Sequence, residues 1–259
     1  MNRITIGVAT HKKYRMPDDE VYLPIQSGAA LSDLNLSYQR DNVGENISIK
    51  NPNYSELTAL YWLWKNDHSE YKGLVHYRRH FSSKHNYLEF RTGNFSDLLD
   101  VSTLEHLLTK VDIILPKKRK YYIETIKSHY EHTHYGIDLE VTENVIKSIY
   151  PDYLNSYNKV LNRKSAHMFN MFVMSENKFD EYCEWLFKIL FEIEKKLDIS
   201  QYSDFHARVF GRISEILLDV WLDKKKYNYV EIPVMFMENQ SWSKKIVKFL
   251  KAKAYRVRY

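Results

Sequence analysis

The sequence predicts an α/β fold in which a largely parallel central sheet is flanked by helices. Three observations predict it. Short apolar runs that read as strands alternate with longer stretches whose apolar residues recur at helical spacing. That alternation is the pattern of helices packed on the faces of a mostly parallel sheet. At 259 residues, with 44% hydrophobic and 27% charged side chains, the chain can bury the core such a sheet needs. No internal repeat or low-complexity linker divides it, so one domain is expected over residues 1–240, followed by a tail at 241–259.

RITIGVAT reads as the first buried strand, ending at Thr10-His11-Lys12. MPDDEVYLPIQSGAALSD, with Pro17, Pro24 and Gly28 as breakers, reads as an ordered loop. NPNYSELTALYWLWKND reads as one helix, capped by Ser55 or Asn53 and carrying Leu57, Leu60, Tyr61 and Trp64 on its inner face. YKGLVHYRRHF reads as the second strand. Ser102 with Glu105 has capping-box spacing ahead of Leu104, Leu107, Leu108 and Val111. DIILP is a short strand stopped by Pro116, and residues 122–162 read as mostly helical with a break at Tyr150-Pro151. HMFNMFVMS reads as a strand leading into a long helix striped by Phe179, Tyr182, Cys183, Leu186, Phe187, Leu190 and Ile193. A further helix carries Ile213, Ile216, Leu217, Val220 and Trp221; YVEIPVMF is the last strand, and SWSKKIVKFLKAKAY a C-terminal amphipathic helix.

Composition excludes several classes. With 7 glycines, a glycine-rich phosphate loop is not expected. The single Cys183 permits neither an intramolecular disulfide nor a cysteine zinc cluster, which fits a reducing cytoplasmic setting. MNRITIGVATHKK turns basic too soon for a signal peptide, and no apolar run is long enough to span a bilayer. Net charge is +5, but residues 241–259 hold seven Lys and Arg and no acid, so residues 1–240 carry 5 − 7 = −2. A nucleic-acid partner is therefore not expected. Trp242, Ile246, Phe249 and Leu250 give the lysine-rich tail an apolar face, the pattern of a helix lying on an anionic membrane surface.

In a mostly parallel sheet, ligands bind beyond the carboxyl ends of the strands. That rule brings Thr10, His11 and Lys12 to one rim with His76, Tyr77, Arg78, Arg79 and His80. Two adjacent guanidinium groups supply forked, permanently charged donors for phosphate oxygens; surface cations in ordinary ion pairs are the alternative, and the strand-end location favours a site. Asp41 and Asn42, with Asn46, Ser48, Lys50 and Asn51, form a polar cluster suited to an anion or a ribose, or simply a loop of turn formers. Tyr130, His134 and Asp138 have a spacing that would align them on one helical face, where they could hydrogen-bond a substrate or merely face solvent. His167 and Asn170 open the HMFNMFVMS strand. Glu215 and Asp204 are the carboxylates available to deprotonate a hydroxyl, while Glu215 could also be an ion-pair partner of Arg208 or Arg212.

GVATHK, DNVGENISIKNPNYSELTALYWLWKN, YKGLVHYRRHF, HMFNMFVMSENKFDEYCEWLF and GRISEILLDVWL together resemble the bacterial capsular and exopolysaccharide glycosyltransferases long grouped as a domain of unknown function. The resemblance runs from about Ile4 to Asn239 and implies a GT-A-like nucleotide-sugar transferase fold. It implies transfer from a UDP-linked donor, galactofuranose or another hexose, to a lipid-linked oligosaccharide at the inner face of the cell membrane. Thr10, His11, Lys12, Asp41, Asn42, His76, Tyr77, Arg78 and Arg79 would then bind the donor, with Tyr130, His134, Asp138, His167 and Asn170 on sugar hydroxyls. Glu215 or Asp204 would be the base of an inverting reaction. GT-A enzymes usually hold a divalent metal with Asp-x-Asp at a central strand end; here that position reads His76-Tyr77-Arg78-Arg79, so no metal ligand and no required cofactor are expected. A non-catalytic sugar- or nucleotide-binding module of the same fold, and a phosphate-ester enzyme, are the alternatives.

Overall fold

A computed structural model describes residues 3–84 and 92–238; the tail expected at 241–259 lies outside the described residues. The strands are β1 (Ile4–Thr10), β2 (Tyr22–Gln26), β3 (Gln39–Arg40), β4 (Tyr71–His76), β5 (Arg79–Phe81) and β6 (Ile113–Pro116). A small ribbon of β7 (Arg119–Lys120) and β8 (Ser165–Ala166) stands apart, and β9 (Phe172–Ser175), β10 (Val230–Ile232) and β11 (Val234–Phe236) complete the set. The central sheet runs β10-β6-β9-β4-β1-β2-β3, with β5 and β11 branching from the end of β4. Along that path β9 alone runs antiparallel to its neighbours. The carboxyl ends of the other strands and the amino end of β9 therefore meet at one rim.

The helices are α1 (Asn51–Tyr54), α2 (Leu57–Asn66), α3 (Val101–Leu108), α4 (Ile126–Thr133), α5 (Ile137–Ile149), α6 (Leu154–Leu161), α7 (Glu176–Lys196) and α8 (Val209–Lys225). Alternate strand residues face opposite layers. Leu74, Ile113 and Phe172 join the larger core with Leu60, Leu186 and Trp221, whereas Val75, Ile114 and Val173 join Leu104 and Met235 on the other face. Burial on both faces explains why these strands read as continuous apolar runs.

Several sequence expectations are corrected. The proline-bearing 16–33 stretch contains β2, paired in parallel with β1. Ser27 donates inward to Thr10 and Gln26 accepts outward from Asp41, so by alternation Pro24 turns its nitrogen to the outer edge. There β3 pairs only Ile25 and Gln26, and the missing donor costs no ladder bond. YKGLVHYRRHF is a hairpin: the chain reverses at Tyr77-Arg78 and pairs Arg79 back on His76. The helix expected over 51–67 breaks at Ser55 (φ 52°), where Asn51 Nδ2 and Thr58 Oγ1 both donate to the Ser55 carbonyl. Asp100, not Ser102, caps α3, accepting from Thr103 N at 2.7 Å. Strand structure in HMFNMFVMS begins only at Phe172, and Pro233 divides YVEIPVMF between β10 and β11.

Candidate active site

The site is built where three bent segments meet α8. Arg212, Glu215 and Asp219 lie three and four residues apart, on one stripe of that otherwise apolar helix. Asp219 accepts from His167 N at 2.9 Å and pairs with His167 Nδ1 at 2.6 Å. Glu215 accepts from Phe169 N at 3.0 Å. These carboxylates take up backbone and ring N–H groups that the 167–170 segment, outside any strand, cannot give to the sheet. Phe169 (φ 78°) and Asn170 (φ 50°) are both left-handed, a strained conformation for side chains of this size. Asn170 Nδ2 then donates to Gly211 O at 2.9 Å and to Glu56 Oε1 at 2.6 Å. Glu56 reaches that point because the helix breaks at Ser55.

The β4–β5 hairpin enters from the sheet. His76 is buried, with Nε2 against the Phe169 carbonyl. Arg79 stacks its guanidinium over the Phe169 ring at 4.4 Å, and its Nε is buried with no hydrogen-bond partner among the described residues. Arg78 turns the other way, half-exposed, 3.8 Å from Glu238. Tyr77 is buried edge-on to His11 and Tyr14, with the Lys12 ammonium 5.0 Å from its ring. Partial burial, with the charges of Lys12, Arg208 and Arg78, lowers the His11 pKa below its ordinary value. Lys12, Arg78, Arg79 and Arg208 thus make the rim beyond β1 and β4 electropositive.

Burial and the neighbouring Glu56 carboxylate push Glu215 up to about 7, against the opposing pull of the Phe169 N–H, Arg79 and Arg212. On its other side Glu215 lines a cavity with Tyr121, Tyr130, His134, Met168 and Arg212. Burial and the charge of Arg212 push His134 down to about 3, so its imidazole is neutral there. Tyr130, His134 and Asp138 do gather, but not on one helical face. The helix stops at Thr133, His134 is extended, and Tyr130 Oη donates to Asp138 Oδ2 at 2.8 Å across the gap between α4 and α5.

Other expected site residues take different places. Asp41 is fully buried and accepts from Gly28 N (2.7 Å), Ala29 N (2.9 Å) and Ser48 Oγ (2.5 Å), so it shapes the loop after β2. Asn42 accepts from Arg40 Nε, and Thr10 Oγ1 donates to the Lys12 carbonyl. Asp138 also accepts from Tyr202 Oη at 2.6 Å. The His167 ring is enclosed between Asp219 and Glu231 (3.1 Å). Asp204 lies exposed on the loop before α8 and does not line the cavity. Glu56 and Asp219 were not among the expected site residues, and Arg208 and Arg212 were expected only as ion-pair partners of Glu215. The only sequence signal for them is charge: acids and arginines spaced along an apolar helix, and a glutamate inside YSELTALYWLW.

A divalent cation is not fitted by these residues. Among the described residues no three His, Cys, Asp or Glu side chains are grouped to hold a metal. The rim presents cations, and Glu56 and Glu215 are engaged with Asn170 and Phe169.

This mostly parallel sheet, flanked by helices and with its carboxyl strand ends at one rim, matches a glycosyltransferase fold. The chain belongs to the family described as a domain of unknown function, DUF4422, which it matches over residues 5–226. It is also similar to a solved apo structure of the WbbM bifunctional glycosyltransferase, at 30% identity and a TM-score of 0.85. The match covers 92% of this chain and 46% of the WbbM chain, so this chain spans about half of that protein. Comparison with curated proteins gave no match.

Proposed function

We propose that the chain is a glycosyltransferase that moves a sugar from a UDP-linked donor, galactofuranose or another hexose, to a hydroxyl of a lipid-linked oligosaccharide. The observation that carries this reading is the position of Glu215. It stands between an electropositive strand-end rim and a cavity lined by aromatic and hydrogen-bonding side chains, with a proton affinity suited to a base near neutral pH.

In this reaction the acceptor hydroxyl enters the cavity, with Tyr130 and His134 against the sugar. Glu215 takes its proton. The oxygen forms a bond to the anomeric carbon as the bond to the diphosphate breaks, giving inversion. The electron pair leaves with the diphosphate, whose charge is met by Arg79, Arg78 and Lys12. Those cations are fixed before the reaction begins, by the hairpin and by stacking on Phe169, which is the condition for electrostatic stabilisation of a leaving group. They take the part a metal plays in related folds, so the reaction is metal-independent. Thr10, His11, the loop held by Asp41, and Asn42 border the nucleoside. Asp138, His167 and Asn170 act by fixing the segments around the sugar.

Attachment at the inner face of the cell membrane through residues 241–259 belongs to the same proposal. Among the described residues no helix is long and apolar enough to cross a membrane. The test is a thermal-shift screen of nucleotides and nucleotide-sugars, followed by a release assay on each hit. Stabilisation by UDP, with UDP released from one UDP-sugar in the presence of acceptor, is expected. Stabilisation without release from any donor would leave a binding module instead.

A further inference from the structure

Glu56 is a second carboxylate at the site, and the molecule distorts its backbone to put it there. Six described non-glycine residues have positive φ, and three of them, Ser55, Phe169 and Asn170, converge on this point. Ser55 breaks the helix so that Glu56 precedes α2 instead of riding on it. Phe169 and Asn170 turn one N–H toward Glu215 and one side-chain amide toward Glu56. Strain of this kind, concentrated where two acids are brought to one turn, marks a position held for function.

We propose that Glu56 is a positioning residue for the reaction: through Asn170 it holds the turn that supplies the hydrogen bond to Glu215, and its charge is the second negative charge against which Glu215 works. The inference rests on the reading of Glu215 as the base. Each group facing Glu215 has a distinct part. From its own helix comes Arg212, from the hairpin Arg79, from the α1–α2 junction Glu56, and from the 167–170 turn the Phe169 N–H. Arg119, Tyr121, His129, Tyr130 and His134 line the cavity with it. The arginines and the N–H favour the ionised carboxylate; Glu56 opposes them, and burial opposes them further. Without Glu56, the two arginines and the Phe169 N–H would act on Glu215 with no second carboxylate against them, and it would become a weaker base. Among the described residues Asn170 Oδ1 is buried with no hydrogen-bond partner, so the amide is held by its Nδ2 bonds to Glu56 and Gly211.

The substitution Glu56→Gln keeps an oxygen for Asn170 and removes the charge. Glu56→Asp keeps the charge and shortens its reach. Titration of the Glu215 carboxyl by carbon NMR in the full chain without substrate reads the effect directly, whether or not the protein transfers a sugar. In Glu56→Gln the midpoint is expected to fall by about one pH unit or more, with Glu56→Asp closer to the parent. In a transfer assay the acid limb of kcat should move down by the same amount while KM for the donor changes little. An unchanged Glu215 midpoint in Glu56→Gln, with the fold intact by circular dichroism, would overturn the proposal. A shifted midpoint in a chain that transfers nothing would sustain the Glu56–Glu215 coupling and count against the transferase reading alone.

Discussion

As the proposed base, Glu215 has an environment whose cost in stability can be measured. Its proton affinity is raised by burial and by Glu56. A carboxyl raised in the folded state favours folding at low pH, and that advantage is lost as pH rises from its unfolded value of about 4.3 through about 7. Glu215→Gln is therefore expected to unfold at a higher temperature than the parent at pH 8, by calorimetry, while kcat falls by about 10²–10⁴-fold. Loss of both stability and activity would instead mark Glu215 as structural. His167 has the same sign of pH dependence for a different cause. Burial lowers its pKa, but Asp219 and Glu231 outweigh burial and raise it. Its contribution is full below about 6.5 and fades as pH rises through the folded value. Removing its partner by Asp219→Ala should cost about 3–5 kcal/mol in denaturant unfolding at pH 6. A cost below about 1 kcal/mol would contradict the pairing. Glu215 was legible in the sequence because it is an acid on the polar edge of an otherwise apolar helix. Glu56 was not, because its role depends on a left-handed Ser55 that no helix propensity signals.

At the level of elements, the alternation of strands and helices was readable, while the bends that build the site were not. YKGLVHYRRHF carries the residues of one long strand, yet reverses because Arg79 pairs back on His76 and β11 comes from 150 residues away to cover β5. The turn sends Arg79 to Phe169 and Arg78 to Glu238, so two adjacent arginines serve different parts of the rim. Tyr130, His134 and Asp138 were picked out by helical spacing but meet because the helix ends between them. Close approach of β4 to β9 also has a testable consequence. A Cβ on Gly73 would lie 2.6 Å from the Phe172 carbonyl oxygen, a backbone atom that cannot swing aside. Gly73→Ala is expected to destabilise by about 1–3 kcal/mol and to lower activity through the 167–170 turn that β9 anchors. Unchanged unfolding would show that the two strands have slack.

Across the whole molecule, charge is divided between a near-neutral body and a basic end. Residues 1–240 sum to −2 and the last nineteen to +7, so the proposed attraction to anionic lipid would belong to the tail. Truncation after Asn239 should weaken sedimentation with phosphatidylglycerol vesicles by about tenfold or more and leave the circular dichroism of the body unchanged. Equal sedimentation would place the membrane contact elsewhere. The fold brings a cationic rim, the proposed base Glu215 and the cavity lined by Tyr130 and His134 within one site. The most direct measurement is the initial rate of UDP release from the donor, in the presence of acceptor, with EDTA in excess. The rate is expected to persist in EDTA and to collapse in Arg79→Ala. A rate abolished by EDTA and restored by manganese would contradict the account.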